Sequence, residues 1–169
     1  MRPKGVSARS NILKLSPLAL APLTSYTANT HITPEPVMTH PTLTLIGAGR
    51  MGSAMLGGWL KGGFAGQVAV FAPRPTATLE ALATKGQIAL NPPPSPAQTL
   101  IIAVKPQIFA GMSDDLKPHI GPDTQILSVM AGVSLATLEA RLGTPNVTRA
   151  MPNTPGLVGK GVTLTTFKD

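Results

Sequence analysis

The chain has 169 residues, enough for one domain with a real core but short for two. Apolar residues make up 43% and charged ones 12%, and no apolar run reaches the roughly 18 to 20 residues of a membrane-spanning helix, so a soluble, cytoplasmic protein without a membrane partner is expected. Zero cysteines exclude a disulfide framework, a thiolate metal site and a cysteine nucleophile, and the net charge of +7 comes without the basic run and interleaved aromatics of a nucleic-acid surface.

Residues 1 to 40 are rich in Ser, Thr and Pro, lack periodicity, and hold Arg2, Lys4, Arg9 and Lys14 against Glu35 alone. Such a segment is expected to be a disordered extension, with the folded domain at 41–169. A targeting peptide is one alternative, although Lys14, Pro17 and Pro22 interrupt the apolar stretch that a secretory signal needs. Translation beginning at Met38 is the other, and is favoured, because it places the first strand a few residues from the N-terminus.

The stretch from Thr42 to Leu60 reads as a buried strand, a glycine-rich turn and a helix. Leu43, Leu45 and Ile46 form the apolar run, which stops at Gly47-Ala48-Gly49-Arg50-Met51-Gly52, a G-x-G-x-x-G. In a dinucleotide site Gly47 permits the tight turn, Gly49 lets a pyrophosphate approach the backbone, and Gly52 lets the helix pack on the strand. The helix N-terminus supplies free N–H groups and the positive end of its dipole.

Gly62-Gly63 and Gly66 end that helix, and Gln67 to Ala72 forms a second strand running into Pro73-Arg74-Pro75. An acid in this region would bind the ribose 2′-hydroxyl of NAD, whereas an arginine accommodates the 2′-phosphate of NADP. No acid occurs before Glu80, so Arg74 favours NADP over the alternative of a solvated loop arginine. Thr76 caps a helix through Lys85, Gly86 stops it, and Ile88 to Leu90 is a third strand, followed by a proline-rich loop from Asn91 to Pro96. Thr99 to Val104 is a fourth strand ending at Lys105-Pro106-Gln107, where a doubly wound sheet carries ligands. A helix from Ile108 to Lys117 is broken by Pro118, Gln125 to Met130 is a fifth strand, and Ser134 caps a helix closed by Gly143. Val147 to Met151 runs into Pro152-Asn153-Thr154-Pro155, and Val162 to Phe167 is a last strand. This alternation specifies an α/β fold, a Rossmann-like doubly wound parallel sheet with helices on both faces. His31, His40 and His119 lie in proline-flanked or loop contexts without ligand spacing, and no metal is expected.

Taken together, GAGRMGSAM at 47–55, AVKPQ at 103–107, SVMAGVSLATLEARLG at 128–143 and RAMPNTPGLVGKGVT at 149–163 resemble the nucleotide-binding half of pyrroline-5-carboxylate reductase. The resemblance covers roughly residues 42–166. It implies NADPH-dependent reduction of 1-pyrroline-5-carboxylate to L-proline, the last step of proline biosynthesis. It further implies cofactor contact by Ile46, Gly47, Ala48, Gly49, Arg50 and Met51, by Arg74 at the 2′-phosphate, by Asn91 on the adenine side, and by Ala103, Val104, Lys105 and Pro106. The loop of Met151, Pro152, Asn153, Thr154 and Pro155 would border the nicotinamide and the substrate. Two positions depart from the family pattern: Gln98-Thr99 replaces an Asp before the fourth strand, and Pro73 replaces an Asn before the arginine. Family members continue, as the resemblance implies, into a helical domain that forms a homo-oligomer. That domain has no counterpart in this sequence, which is expected to be a truncated form that binds NADPH and turns over slowly.

A protonated imine is already an electrophile, so the side chains position more than they react, and no catalytic acid is assigned. Lys105 either attracts the substrate carboxylate or serves through its backbone, while Asn153 and Thr154 either bond to ligands or shape a turn. Two rival readings stay open: an inactive NADP-binding module, and another reductase with this nucleotide domain, such as a coenzyme F420-dependent one.

Overall fold

The computed structural model describes residues 40–152 and 163–166. Seven strands form one sheet: β1 (Leu43–Ile46), β2 (Val68–Phe71), β3 (Ala89–Leu90), β4 (Thr99–Ile102), β5 (Gln125–Ser128), β6 (Val147–Pro152) and β7 (Thr163–Thr166). Their spatial order is β3-β2-β1-β4-β5-β6-β7. The first six run parallel, with β1 in register between β2 and β4. β7 departs from the expected parallel arrangement and pairs with β6 antiparallel. The ten residues between these strands are too few for the crossover helix that a parallel return requires.

Among the described residues four α-helices cover the sheet: α1 (Arg50–Lys61), α2 (Ala77–Thr84), α3 (Pro106–Met112) and α4 (Leu135–Leu142). Because side chains alternate across a strand, neighbouring residues feed different cores. Leu45, Val70 and Ile101 join Leu56 of α1 and Leu79 of α2 on one face. Ile46, Leu100, Ile102 and Ile126 join Phe109 of α3 and Leu138 of α4 on the other. The doubly wound architecture is therefore realised, with apolar strands buried from both sides.

Further elements differ from the sequence expectation: β2 is shorter at both ends, and β4 and β5 stop at Ile102 and Ser128. The third strand shortens to Ala89–Leu90, with Ile88 still buried against the core. The expected helix from Ile108 to Lys117 instead starts at Pro106, whose fixed φ suits the first helical turn, and gives way after Met112 to a 3-10 helix, Asp114–His119. Pro118 lies inside that helix, and its missing N–H and bulky ring disfavour continuation of the α-helical ladder.

That 3-10 helix carries His119 into the core, where its ring packs edge-on against Phe71 with centroids 4.5 Å apart. Its Nδ1 is buried without a hydrogen-bond partner among the described residues. Burial pushes the imidazole below its ordinary pKa, and a hydrogen bond with the Ser95 backbone opposes this more weakly. Between the ordinary value and the depressed one, the unfolded chain takes up a proton that the folded chain refuses. Stability is thus intact above about pH 6.5 and is lost as pH falls towards the folded pKa. Thermal melts of the full chain between about pH 7 and pH 5 should show a falling midpoint, and His119→Phe should flatten the fall. Parallel curves for the two proteins would exclude this histidine as the source.

Candidate dinucleotide site

The strand order reverses direction between β1 and β4, and in open α/β sheets the crevice at such a switch point receives the ligand. Two sequence-predicted segments meet there. Gly47 follows β1, and its N–H donates to the Phe71 carbonyl at 2.9 Å. Ala103 follows β4, and its N–H donates to the Ile46 carbonyl at 2.8 Å. Gly47 has φ +90°, a conformation that L side chains rarely adopt, and a Cβ there would lie 2.9 Å from Val104 Cγ1 and 3.0 Å from the Ala103 carbonyl oxygen. The glycine turn and the Ala103–Val104 segment therefore pack directly against each other.

The other two glycines of the motif play distinct parts. Gly52 is buried in the first turn of α1, and a Cβ there would collide with the Gly47 carbonyl oxygen. Gly49 is exposed with φ −70°, and a Cβ there would meet no protein atom within 4 Å. Its missing side chain is thus not required by the fold, as expected where another molecule approaches. Gly49 is also the N-cap of α1 and offers no capping side chain, so no side chain of the cap competes for the first N–H groups of the helix. Ser53 fixes the turn by donating its hydroxyl to the Ala48 carbonyl at 2.8 Å. Arg50 is exposed beside the turn, Met51 is half-buried behind it, and α1 has no acidic residue in its first turn to compete for an anion.

Beyond β4, Lys105 is exposed and caps α3 through its backbone, its carbonyl accepting from Ile108 N–H at 2.9 Å, while Pro106 is the first helical residue. Lys105 lies three residues beyond β4 with an exposed side chain, and its backbone shapes the helix start; both roles read from the sequence are compatible with this placement.

Arg74 lies in the loop after β2 and is exposed, between half-buried Pro75 and exposed Pro73. α2 begins immediately afterwards, with Thr76 Oγ1 accepting from Leu79 N–H at 3.4 Å. Asn91 holds this loop from β3. Its φ of +47° is left-handed, its N–H donates to the Val70 carbonyl at 2.8 Å, and its side-chain amide makes two hydrogen bonds to Ala72. The sequence alone places Asn91 at the head of a proline-rich loop but does not show this engagement with Ala72, nineteen residues earlier.

On the far side, Met151 and Pro152 close β6, with Met151 paired opposite Leu164 of β7 and 40% exposed. Asn153 and Thr154 lie outside the described residues. Among the described residues no group of three or more His, Asp or Glu side chains could hold a metal, and no helix is long and apolar enough to cross a membrane. A wide cleft of about 790 Å³ opens at the opposite ends of the strands, where Gln67, Val68, Ile88 and the Pro92–Pro94 loop line it. It lies away from the glycine turn, because Gln67 and Val68 stand at the start of the strand that Phe71 ends.

Comparison with known proteins agrees with this geometry. Residues 42–132 match the family described as NADP oxidoreductase, coenzyme F420-dependent. The pyrroline-5-carboxylate reductase of Escherichia coli K12 is 35% identical over 130 residues, covering 72% of this chain and 47% of that protein. The solved structure of a pyrroline-5-carboxylate reductase from Coxiella burnetii has a TM-score of 0.65 and 25% identity, across 78% of this chain and 52% of that one. The pyrroline carboxylate reductase of Plasmodium falciparum, solved with NADP bound, has the same fold with a TM-score of 0.62 and 24% identity, across 78% of this chain and 50% of that one. The chain spans about half the length of the curated relatives it matches. By its dinucleotide-binding domain the chain belongs to the NADP oxidoreductase, coenzyme F420-dependent, family, and along that domain it is homologous to the pyrroline-5-carboxylate reductases.

Proposed function

We propose that residues 41–169 are the NADP-binding domain of a pyrroline-5-carboxylate reductase. The observation that carries this reading is the switch point between β1 and β4, where an open Gly49 heads a helix and an arginine, rather than an acid, follows β2. Gly47 to Met51 and the N-terminus of α1 would hold the pyrophosphate, Arg74 the 2′-phosphate, and Ala103 to Pro106 the nicotinamide side. Met151 and Pro152, with Asn153 and Thr154 beyond them, would border a small-molecule substrate. When bound, NADPH supplies a hydride to the electrophilic carbon of a cyclic imine. The protein's own contribution is orientation and exclusion of water, and no side chain of the described site is assigned a proton transfer. A cytoplasmic location belongs to the same reading.

The family description favours one second reading, hydride exchange between NADP and coenzyme F420, since both chemistries use the same nucleotide domain. The reductase homology extends over 130 residues against the 91 of the family model, and favours the imine. NADPH oxidation by the purified chain should rise above its substrate-free rate on adding 1-pyrroline-5-carboxylate and stay unchanged on adding oxidised F420. The reverse pattern would select the second reading. Binding of NADPH with no response to either would leave a nucleotide-binding module.

Cofactor choice gives a separate prediction. NADPH should bind more tightly than NADH, and Arg74→Ala should remove most of the difference. A lost charge-assisted hydrogen bond of this kind costs about 1.5 to 3 kcal/mol, roughly ten- to a hundredfold in affinity. Equal affinities in titrations of the unmutated chain would overturn the role given to Arg74.

A further inference from the structure

We propose that Asn91 is a positioning residue for cofactor choice, acting through Ala72 on Arg74 rather than by its own contact with the cofactor. The inference rests on the NADP reading above and deepens it. β3 and β2 pair in parallel only as far as Leu90 and Val70. One step further, the Asn91 side chain replaces the missing strand: Oδ1 accepts from Ala72 N–H at 2.8 Å, and Nδ2 donates to the Ala72 carbonyl at 3.0 Å. Both backbone groups of Ala72 are thereby satisfied by one amide, as a neighbouring strand would satisfy them. Asn91 reaches this position because its own N–H stays bonded to Val70 and its backbone turns into the left-handed region, which Asn tolerates better than most residues.

This clasp matters for Arg74 because little else between the two residues can move. Pro73 and Pro75 have fixed φ, and each also restricts the residue before it. Thr76 anchors the downstream end as the N-cap of α2. The segment is therefore held at Ala72 and at Thr76, and the Asn91 amide defines the first of these anchors. One lone pair of Oδ1 and one hydrogen of Nδ2 are left over from the clasp, so a direct contact is the rival role, and the double variant below separates the two. Without the clasp, Arg74 would have to be ordered at each binding event, a cost borne only by the ligand that uses it.

The test is titration of NADPH and NADH into the full chain carrying Asn91→Gly, Arg74→Ala, or both. Glycine keeps the left-handed backbone and deletes the amide, so the change reports the clasp alone. NADPH affinity should fall about tenfold with NADH affinity unchanged. In the double variant the NADPH to NADH ratio should equal that of Arg74→Ala alone, because two residues acting through one contact do not add. A general loosening of the fold would lower both affinities together, as would loss of a direct contact to the part the two cofactors share, and either result overturns the proposal. Additive losses in the double variant also overturn it. If Arg74→Ala itself leaves the ratio unchanged, the NADP reading fails first and the inference with it. If Arg74→Ala collapses the ratio while Asn91→Gly leaves it intact, only the inference fails.

Discussion

Gly49→Val is expected to abolish NADPH binding while leaving the domain folded. The two outcomes separate because the space a side chain would occupy at this position belongs to no protein atom: an added Cβ has nothing within 4 Å, and the backbone, at φ −70° and ψ −164°, is open to any residue. The internal cost is limited to replacing a tolerated N-cap by a poor one. That is about 1 kcal/mol, roughly 3 °C in the thermal midpoint of a domain this size. The cost to a ligand is of another order. A pyrophosphate that lies against the helix N-terminus gains from oriented N–H groups only at hydrogen-bonding distance, and two extra methyl groups at the N-cap hold it beyond that range. Affinity should drop at least a hundredfold, or about 2.7 kcal/mol. Binding within threefold of the unmutated chain, in a titration of folded protein, would show that the pyrophosphate lies elsewhere and would remove the main support for the crevice as the site.

The fold and the site differed in how far the sequence disclosed them, and the reason is the range of the interactions involved. Leu43, Leu45 and Ile46 ahead of three spaced glycines specify strand, turn and helix locally, because each requirement is met within about ten residues. Thr76, Ser134 and Gly143 likewise act on their own helix ends, and the structure places each as a cap. Pro118 was legible as a breaker, but not as part of a 3-10 helix, since that depends on how the turn must reach the core. Asn91 and His119 were less legible still. Their partners, Ala72 and Phe71, are nineteen and forty-eight residues away, and nothing in the spacing of either pair follows a helical or strand period. The antiparallel β7 depends on the length of the preceding connection rather than on the composition of the strand itself.

Gly52→Ala should destabilise the domain strongly, against the ordinary effect of that substitution. In a helix interior, replacing glycine by alanine is favourable by about 1 kcal/mol, since the unfolded chain loses freedom and the helix gains a better former. At Gly52 the new Cβ would collide with the Gly47 carbonyl oxygen and also sit 3.5 Å from the Ala103 Cβ. Neither neighbour can yield cheaply. Gly47 is tied to β2 through its N–H, at 2.9 Å from the Phe71 carbonyl oxygen, and Ala103 is tied to β1 through Ile46, so relief requires α1 to lift from the sheet. Lifting α1 uncovers Leu56, which is 1% exposed, and disrupts the core shared with Leu45 and Val70. Overpacking of this kind costs about 3 kcal/mol and outweighs the propensity gain, which leaves a net loss of about 2 kcal/mol and roughly 6 °C in thermal midpoint. Gly58→Ala is the control within the same helix: it is exposed, its Cβ would meet nothing within 4 Å, and alanine there should raise the midpoint by a few degrees. If both alanines stabilise equally in thermal melts, α1 does not pack on the turn as closely as Gly52 implies, and the cradle at the head of the helix is looser than a pyrophosphate site requires.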